Sequence, residues 1–196
     1  MPCGACALED SLDVGTVRGI LHSHEVDING VDRVRNMTAL HVALGTTSDP
    51  YWHPYKQRMY EIVAELLSAG ANPNIAVPLS SNLVLTPNMN PLVWAAYDGR
   101  AALVRLMVEG PSNRTRFTPA DVSATDGKGR TALHWAAKCD FRLSSDEGAA
   151  ATAAYLISRG ADPWAKDGEG NTAFDNTPGK QHNCTAVNSD ASDCPK

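Results

Sequence analysis

Two short strings recur in strict alternation along this chain, and that recurrence leaves few ways for it to fold. The first string reads TALHVA (Thr38 to Ala43), NPLVWAA (Asn90 to Ala96) and TALHWAA (Thr131 to Ala137), with a fainter echo in NTAFD (Asn171 to Asp175). The second reads VDIN ending at Asn29, LLSAGANPN ending at Asn74, ADVS ending at Ser123 and LISRGADPW ending at Trp164. A unit that recurs every few tens of residues cannot bury its apolar side alone. It must stack on its neighbours to form one continuous core.

Local chemistry gives each unit its shape. Thr38 and Thr131 precede Ala-Leu runs and can cap a helix by accepting a backbone N–H, and the pairs Asp126-Gly127 and Asp167-Gly168 are turn signals. The apolar segments 60–67, 101–108 and 150–157 run on to Gly70, Gly110 and Gly160, the residue type that most easily takes the left-handed conformation ending a helix. The order within a unit is therefore turn, inner helix, outer helix.

Taken together, the strings resemble the ankyrin repeat, whose pattern is roughly D-x-x-G-x-T-P-L-H-x-A-A, a short loop, an apolar helix and G-A-D-V-N. The resemblance runs from about Val26 to Asp175. It implies an all-α repeat solenoid, a stack of helix-turn-helix repeats with β-hairpin fingers, comprising three full repeats between degenerate N- and C-terminal capping repeats. One domain is expected over 1–179, divided into an N-cap repeat at about 7–30, repeats at 31–75, 76–124 and 125–166, and a partial C-cap at 167–179 ended by Pro178 and Gly179. The polar stretch 180–196 is expected to be a disordered tail.

Spacing departs from the family period of about 33 residues. The inner-helix starts Thr38, Asn90, Thr131 and Thr172 lie 52, 41 and 41 residues apart. The surplus is assigned to loops at Thr46–Gln57, Pro78–Met89, Pro111–Pro119 and Asp140–Glu147, outside the stack.

Composition narrows the function. A net charge of −5 gives no basic face for phosphate, so nucleic acid is not an expected partner. No apolar run reaches the length of a membrane span and no secretory leader precedes the repeats, so a soluble, intracellular, monomeric protein with no membrane partner is expected. The five cysteines read as free thiols. Cys3-Gly-Ala-Cys6, with His182, Cys184 and Cys194 at the far end, has metal or redox spacing, but a solenoid holds its termini apart. No metal and no cofactor are expected. No nucleophile elbow, P-loop, dinucleotide fingerprint or H-E-x-x-H motif is present, and the chain is not read as an enzyme.

What remains is a surface for another protein, as adaptor, inhibitor or sequestering partner, with a small metal or redox protein and a purely structural element as the rival readings. Tyr51, Trp52, His53 and Tyr55 sit in an insertion stiffened by Pro50 and Pro54 and are candidate binding anchors; packing over the helix ends is the alternative. Leu83 and Leu85 make the second finger apolar, which suits either a partner or a longer hairpin. By resemblance, the binding face would include Arg33, Arg35, Lys128, Arg130, Asp167 and Glu169 on fingers, and Tyr97, Asp98 and Lys138 near inner-helix ends. Family members are sometimes hydroxylated at asparagine, and Asn29 and Asn74 occupy the matching place.

Three further sets read as structural. Gly70, Gly110 and Gly160 end helices, Trp94 and Trp135 fill the space between adjacent inner helices, a ladder of indoles along the inner surface being the alternative, and His41 and His134, with Thr38 and Thr131, tie neighbouring repeats by hydrogen bonds in the family. The second repeat has Asn90 and Val93 at those places and should form the softer junction. Hydrogen exchange is expected to show the Asn90 repeat less protected than the Thr131 repeat; equal protection would contradict this.

Overall fold

The computed structural model describes residues 14–22, 26–32, 36–45, 56–78, 88–112, 116–138 and 146–175. Among them are seven helices: α1 (Val14–His22), α2 (Ala39–Gly45), α3 (Lys56–Ser68), α4 (Pro91–Tyr97), α5 (Ala101–Glu109), α6 (Ala132–Ala137) and α7 (Asp146–Ser158). Two isolated antiparallel bridges, Val77 with Met89 and Thr125 with Thr131, take the place of a sheet. The short helices α2, α4 and α6 pack in one row, and α1, α3, α5 and α7 pack in a second row behind them. The pairs α2/α3, α4/α5 and α6/α7 stack in succession, with α1 packed on α3 ahead of them.

The two strings explain the two rows. Ala39, Ala43, Ala95, Ala96, Ala132 and Ala136 are all nearly inaccessible, and their small side chains let the inner helices approach closely. Leu40, Leu44, Leu92 and Leu133 point from the inner row into the core to meet Leu66, Leu67, Met107 and Leu156 from the outer row. Each such side chain, once fully buried, contributes about 2 kcal/mol.

The caps follow the sequence closely. Asn90 accepts the Val93 N–H at 2.8 Å and so caps α4 where the other repeats use threonine. Gly70, Gly110 and Gly160 have φ of 97°, 87° and 92°. At Gly110 a Cβ would also lie 2.7 Å from the Phe117 ring, so this position excludes a side chain twice over. In the fingers, the positive φ falls on Gly129 and Gly170, not on the first glycine of each Asp-Gly pair. The reason is local: Asp126 Oδ1 accepts from Lys128 N and Arg130 N, Asp167 Oδ1 accepts from Glu169 N and Asn171 N, and the left-handed glycine falls two positions after the glycine of the dipeptide.

Element bounds differ modestly from the sequence reading. α3 begins at Lys56 and α7 at Asp146, so each takes two residues from an expected loop. At the C-terminal end the described residues stop at a single turn, where Asp175 Oδ2 accepts from Thr172 N at 2.7 Å and from its hydroxyl at 2.8 Å. The expected remainder of the C-cap, 176–179, and the tail 180–196 lie outside the described residues.

Polar ties run from unit to unit. Asn29 Nδ2 donates to Gly70 O at 3.2 Å while its Oδ1 accepts from Asn72 N at 2.8 Å. Asn74 repeats this one unit on, with Pro119 O at 2.9 Å and Asp121 N at 2.8 Å. Ser123, the next equivalent, is too short for that reach, and its N–H and hydroxyl both donate to Asp121 Oδ1. Asn74→Ala is expected to cost about 1–2 kcal/mol by stripping two backbone groups of their partner. Ser123→Asn should supply the missing clamp to Gly160 O and Asp162 N and stabilise by about 1 kcal/mol; urea unfolding measures both, and a neutral Ser123→Asn would refute the assigned role of the clamp.

Candidate functional site

The surface made by the fingers and inner helices is built on a small buried cluster. Asp126, at the start of the third finger, has a side chain with no exposure, and its Oδ2 accepts from Trp135 Nε1 at 3.1 Å and Arg130 Nε at 3.0 Å. The Arg130 guanidinium lies 4.1 Å from the Trp135 ring centre. A carboxylate, a guanidinium and an indole thus hold the finger onto α6. Arg130 serves as a strut, with its side chain 11% exposed. Lys128 and Lys138 remain exposed around this cluster, Lys138 Nζ being 5.7 Å from the same ring.

The tryptophans each meet the preceding inner helix. His41 and Trp94 pack edge-on with centroids 6.4 Å apart, and Tyr97 meets Trp135 at 5.1 Å and 90°. Trp135 is buried, while Trp94 and Tyr97 are half-buried and share the exposed side of α4. Asp98 is bound to Arg100 at 2.9 Å with both side chains largely covered. Burial raises the Asp98 pKa and lowers that of Arg100, and each partner's charge opposes the shift. Arg100 Nη1 also reaches Met59 Sδ at 2.9 Å and Leu44 O at 3.5 Å, which lie on either side of the first inserted loop. The candidate anchors Tyr51, Trp52, His53 and Tyr55 in that loop lie outside the described residues, as do Leu83, Leu85, Arg33 and Arg35 and all five cysteines.

A hydroxyl beside an imidazole is the pattern of an activated nucleophile, and two such pairs occur among the described residues. Thr38 Oγ1 is 2.7 Å from His41 Nδ1, and Thr131 Oγ1 is 2.9 Å from His134 Nδ1. In both, the other ring nitrogen points at a backbone carbonyl of the next unit: His41 Nε2 donates to Met89 O at 3.0 Å and His134 Nε2 to Asn171 O at 3.2 Å. In each pair one ring nitrogen faces the threonine hydroxyl and the other the carbonyl of the next unit, and both pairs are buried. They are ties between repeats. Val93 has no donor to repeat this between the second and third repeats. Among the described residues no group of three or more His, Cys, Asp or Glu could hold a metal ion, and no helix is long and apolar enough to cross a membrane.

Two features escaped the sequence reading. Trp164 is 50% exposed at the end of the LISRGADPW string, edge-on to Phe174 at 6.3 Å; a tryptophan in the place held by Asn29 and Asn74 was its available signal. On the opposite, outer-helix face, Glu109 accepts from the Tyr155 hydroxyl at 3.0 Å and pairs with Arg159, while Arg105 and Arg159 stack on the Tyr155 ring at 4.7 and 5.1 Å. The hydrogen bond from Tyr155, aided by the two arginines, holds Glu109 below the usual carboxylate range. No local sequence pattern links these residues, which lie about 50 positions apart, so their meeting required the stack.

A family model described as ankyrin repeats, in three copies, matches residues 55–167, more than half of the chain. No curated protein matches the sequence.

Burial lowers the His41 pKa from 6.5 to about 4, only partly offset by the bond to Met89 O. The unfolded chain then takes up a proton on this residue between pH 6.5 and 4 while the folded chain does not. Stability from this group is full above pH 6.5 and falls as the pH drops toward 4, on the order of 3 kcal/mol in all. Between pH 7.5 and 5, urea midpoints should fall further for the wild type than for His41→Gln; parallel losses would remove the effect.

Proposed function

As the chain belongs to the ankyrin-repeat family, we propose that it acts as an adaptor, inhibitor or sequestering protein, binding its partner through the face formed by fingers and inner helices. Ankyrin repeats are generally protein–protein interaction modules, and such a module works by presenting side chains, not by enclosing a reaction. The observation that carries the reading is the pairing of half-buried aromatics, Trp94 and Tyr97, with exposed Lys128 and Lys138 above a locked base of Asp126, Arg130 and Trp135. Aromatics already fixed by packing lose little entropy on binding and are the usual anchors, each worth on the order of 2 kcal/mol or more at a buried hot spot. Asp98 and Arg130 contribute by holding this face in shape.

The inserted aromatic residues Tyr51, Trp52, His53 and Tyr55 extend the same reading, since Arg100 ties the segments that flank them to the turn beside Tyr97. A monomer without cofactor, in a reducing intracellular setting, accords with the odd cysteine count, and the net charge of −5 favours protein over nucleic acid as partner.

Affinity capture with the wild type, a Tyr97→Ala/Lys138→Ala variant and a triple alanine variant at Tyr51, Trp52 and Tyr55, compared by mass spectrometry, tests the proposal. Loss of one specific protein from the first variant is expected. Its retention there, with loss on substituting outer-helix residues, would place binding on the other face.

A further inference from the structure

The outer-helix face carries a shallow groove of about 510 Å³ between α5 and α7, lined by Arg105, Glu109, Ala151, Ala154, Tyr155 and Arg159. Its charges do not balance. The one carboxylate, Glu109, is engaged by Arg159 and the Tyr155 hydroxyl. Arg105 is exposed, forms no ion pair among the described residues, and its Cζ lies 4.7 Å from the Tyr155 ring centre, within cation–π reach. Stacking fixes a guanidinium while leaving its N–H fork for a ligand, and that fork matches a carboxylate in two-point geometry. This surplus positive charge stands out on a chain whose net charge is −5.

From this arrangement we infer a second interaction site: the α5/α7 groove takes an acidic segment of a partner protein, with Arg105 receiving a carboxylate and exposed Ala151 and Ala154 forming a low floor for the incoming backbone. Tyr155, only 5% exposed, and Glu109 position the two arginines without needing to touch the ligand. The site lies across the stack from Tyr97 and Lys138, so it operates whether or not the inner face binds.

The test is a titration of the isotope-labelled full chain with end-blocked hexaglutamate, hexaglutamine and inorganic phosphate, followed by amide chemical shifts. Hexaglutamate is expected to shift residues 105–109 and 151–159, and hexaglutamine is not. Arg105→Glu should weaken binding about tenfold or more. Ala154→Gln, which fills the floor without changing charge, should weaken it several-fold, and Tyr97→Ala/Lys138→Ala should leave it unchanged. Absent shifts, shifts that persist in Arg105→Glu, or equal shifts from phosphate at the same concentration would overturn the assignment, the last by reducing the groove to an adventitious anion site.

Discussion

Every helix pair in this protein has an apolar flank that its own two helices cannot cover, and the structure exists because the next pair covers it. The inner row is narrow because alanines recur at the contact positions, so adjacent helices meet almost backbone to backbone. The outer row is longer and supplies the leucines, valines and methionines that close the core from behind. Such a scheme needs a way to set the offset between pairs, since alanine and leucine faces slide easily. The chain sets it with single polar side chains that reach backbone groups one unit away: Asn29, His41, Asn74 and His134.

The same economy shapes the surface. Charged residues that look free in the sequence are often fasteners once the units stack. Arg130 grips Asp126 and lies on Trp135, so the finger cannot swing away from α6. Arg100 binds Asp98 and extends to the preceding repeat at Met59. Pairs of this kind hold a surface in shape before it meets a ligand, which lowers the ordering cost of binding.

Much of the fold was legible in the residues. Thr38, Asn90 and Thr131 announced the inner helices and Gly70, Gly110 and Gly160 ended the outer ones, because caps and left-handed positions depend on chemistry within a few residues. The finger turns were legible less fully: the Asp-Gly pairs marked the place, but the bonds from Asp126 and Asp167 move the left-handed glycine two positions on. The candidate face was harder still. Whether Asp98 or Arg130 faces a partner or a neighbour depends on contacts across repeats, and the groove of Arg105, Glu109, Tyr155 and Arg159 joins residues about 50 apart that no local pattern links. Position in the repeat gives the row a residue sits in, while its occupation is decided by the side chain beside it in the next unit.

The boundary between the second and third repeats lacks both kinds of tie, since Val93 and Ser123 stand where histidine and asparagine stand elsewhere. Among the contacts that join it are Tyr97 against Trp135 on one side and Glu109 with Tyr155 and Arg159 on the other. Ring edges and ion pairs tolerate small rotations that a side chain anchored to backbone does not. What sets this boundary is packing, α4 on α6 and α5 on α7, so a protein touching Tyr97 and Lys138 together would bridge two repeats that hold each other by shape.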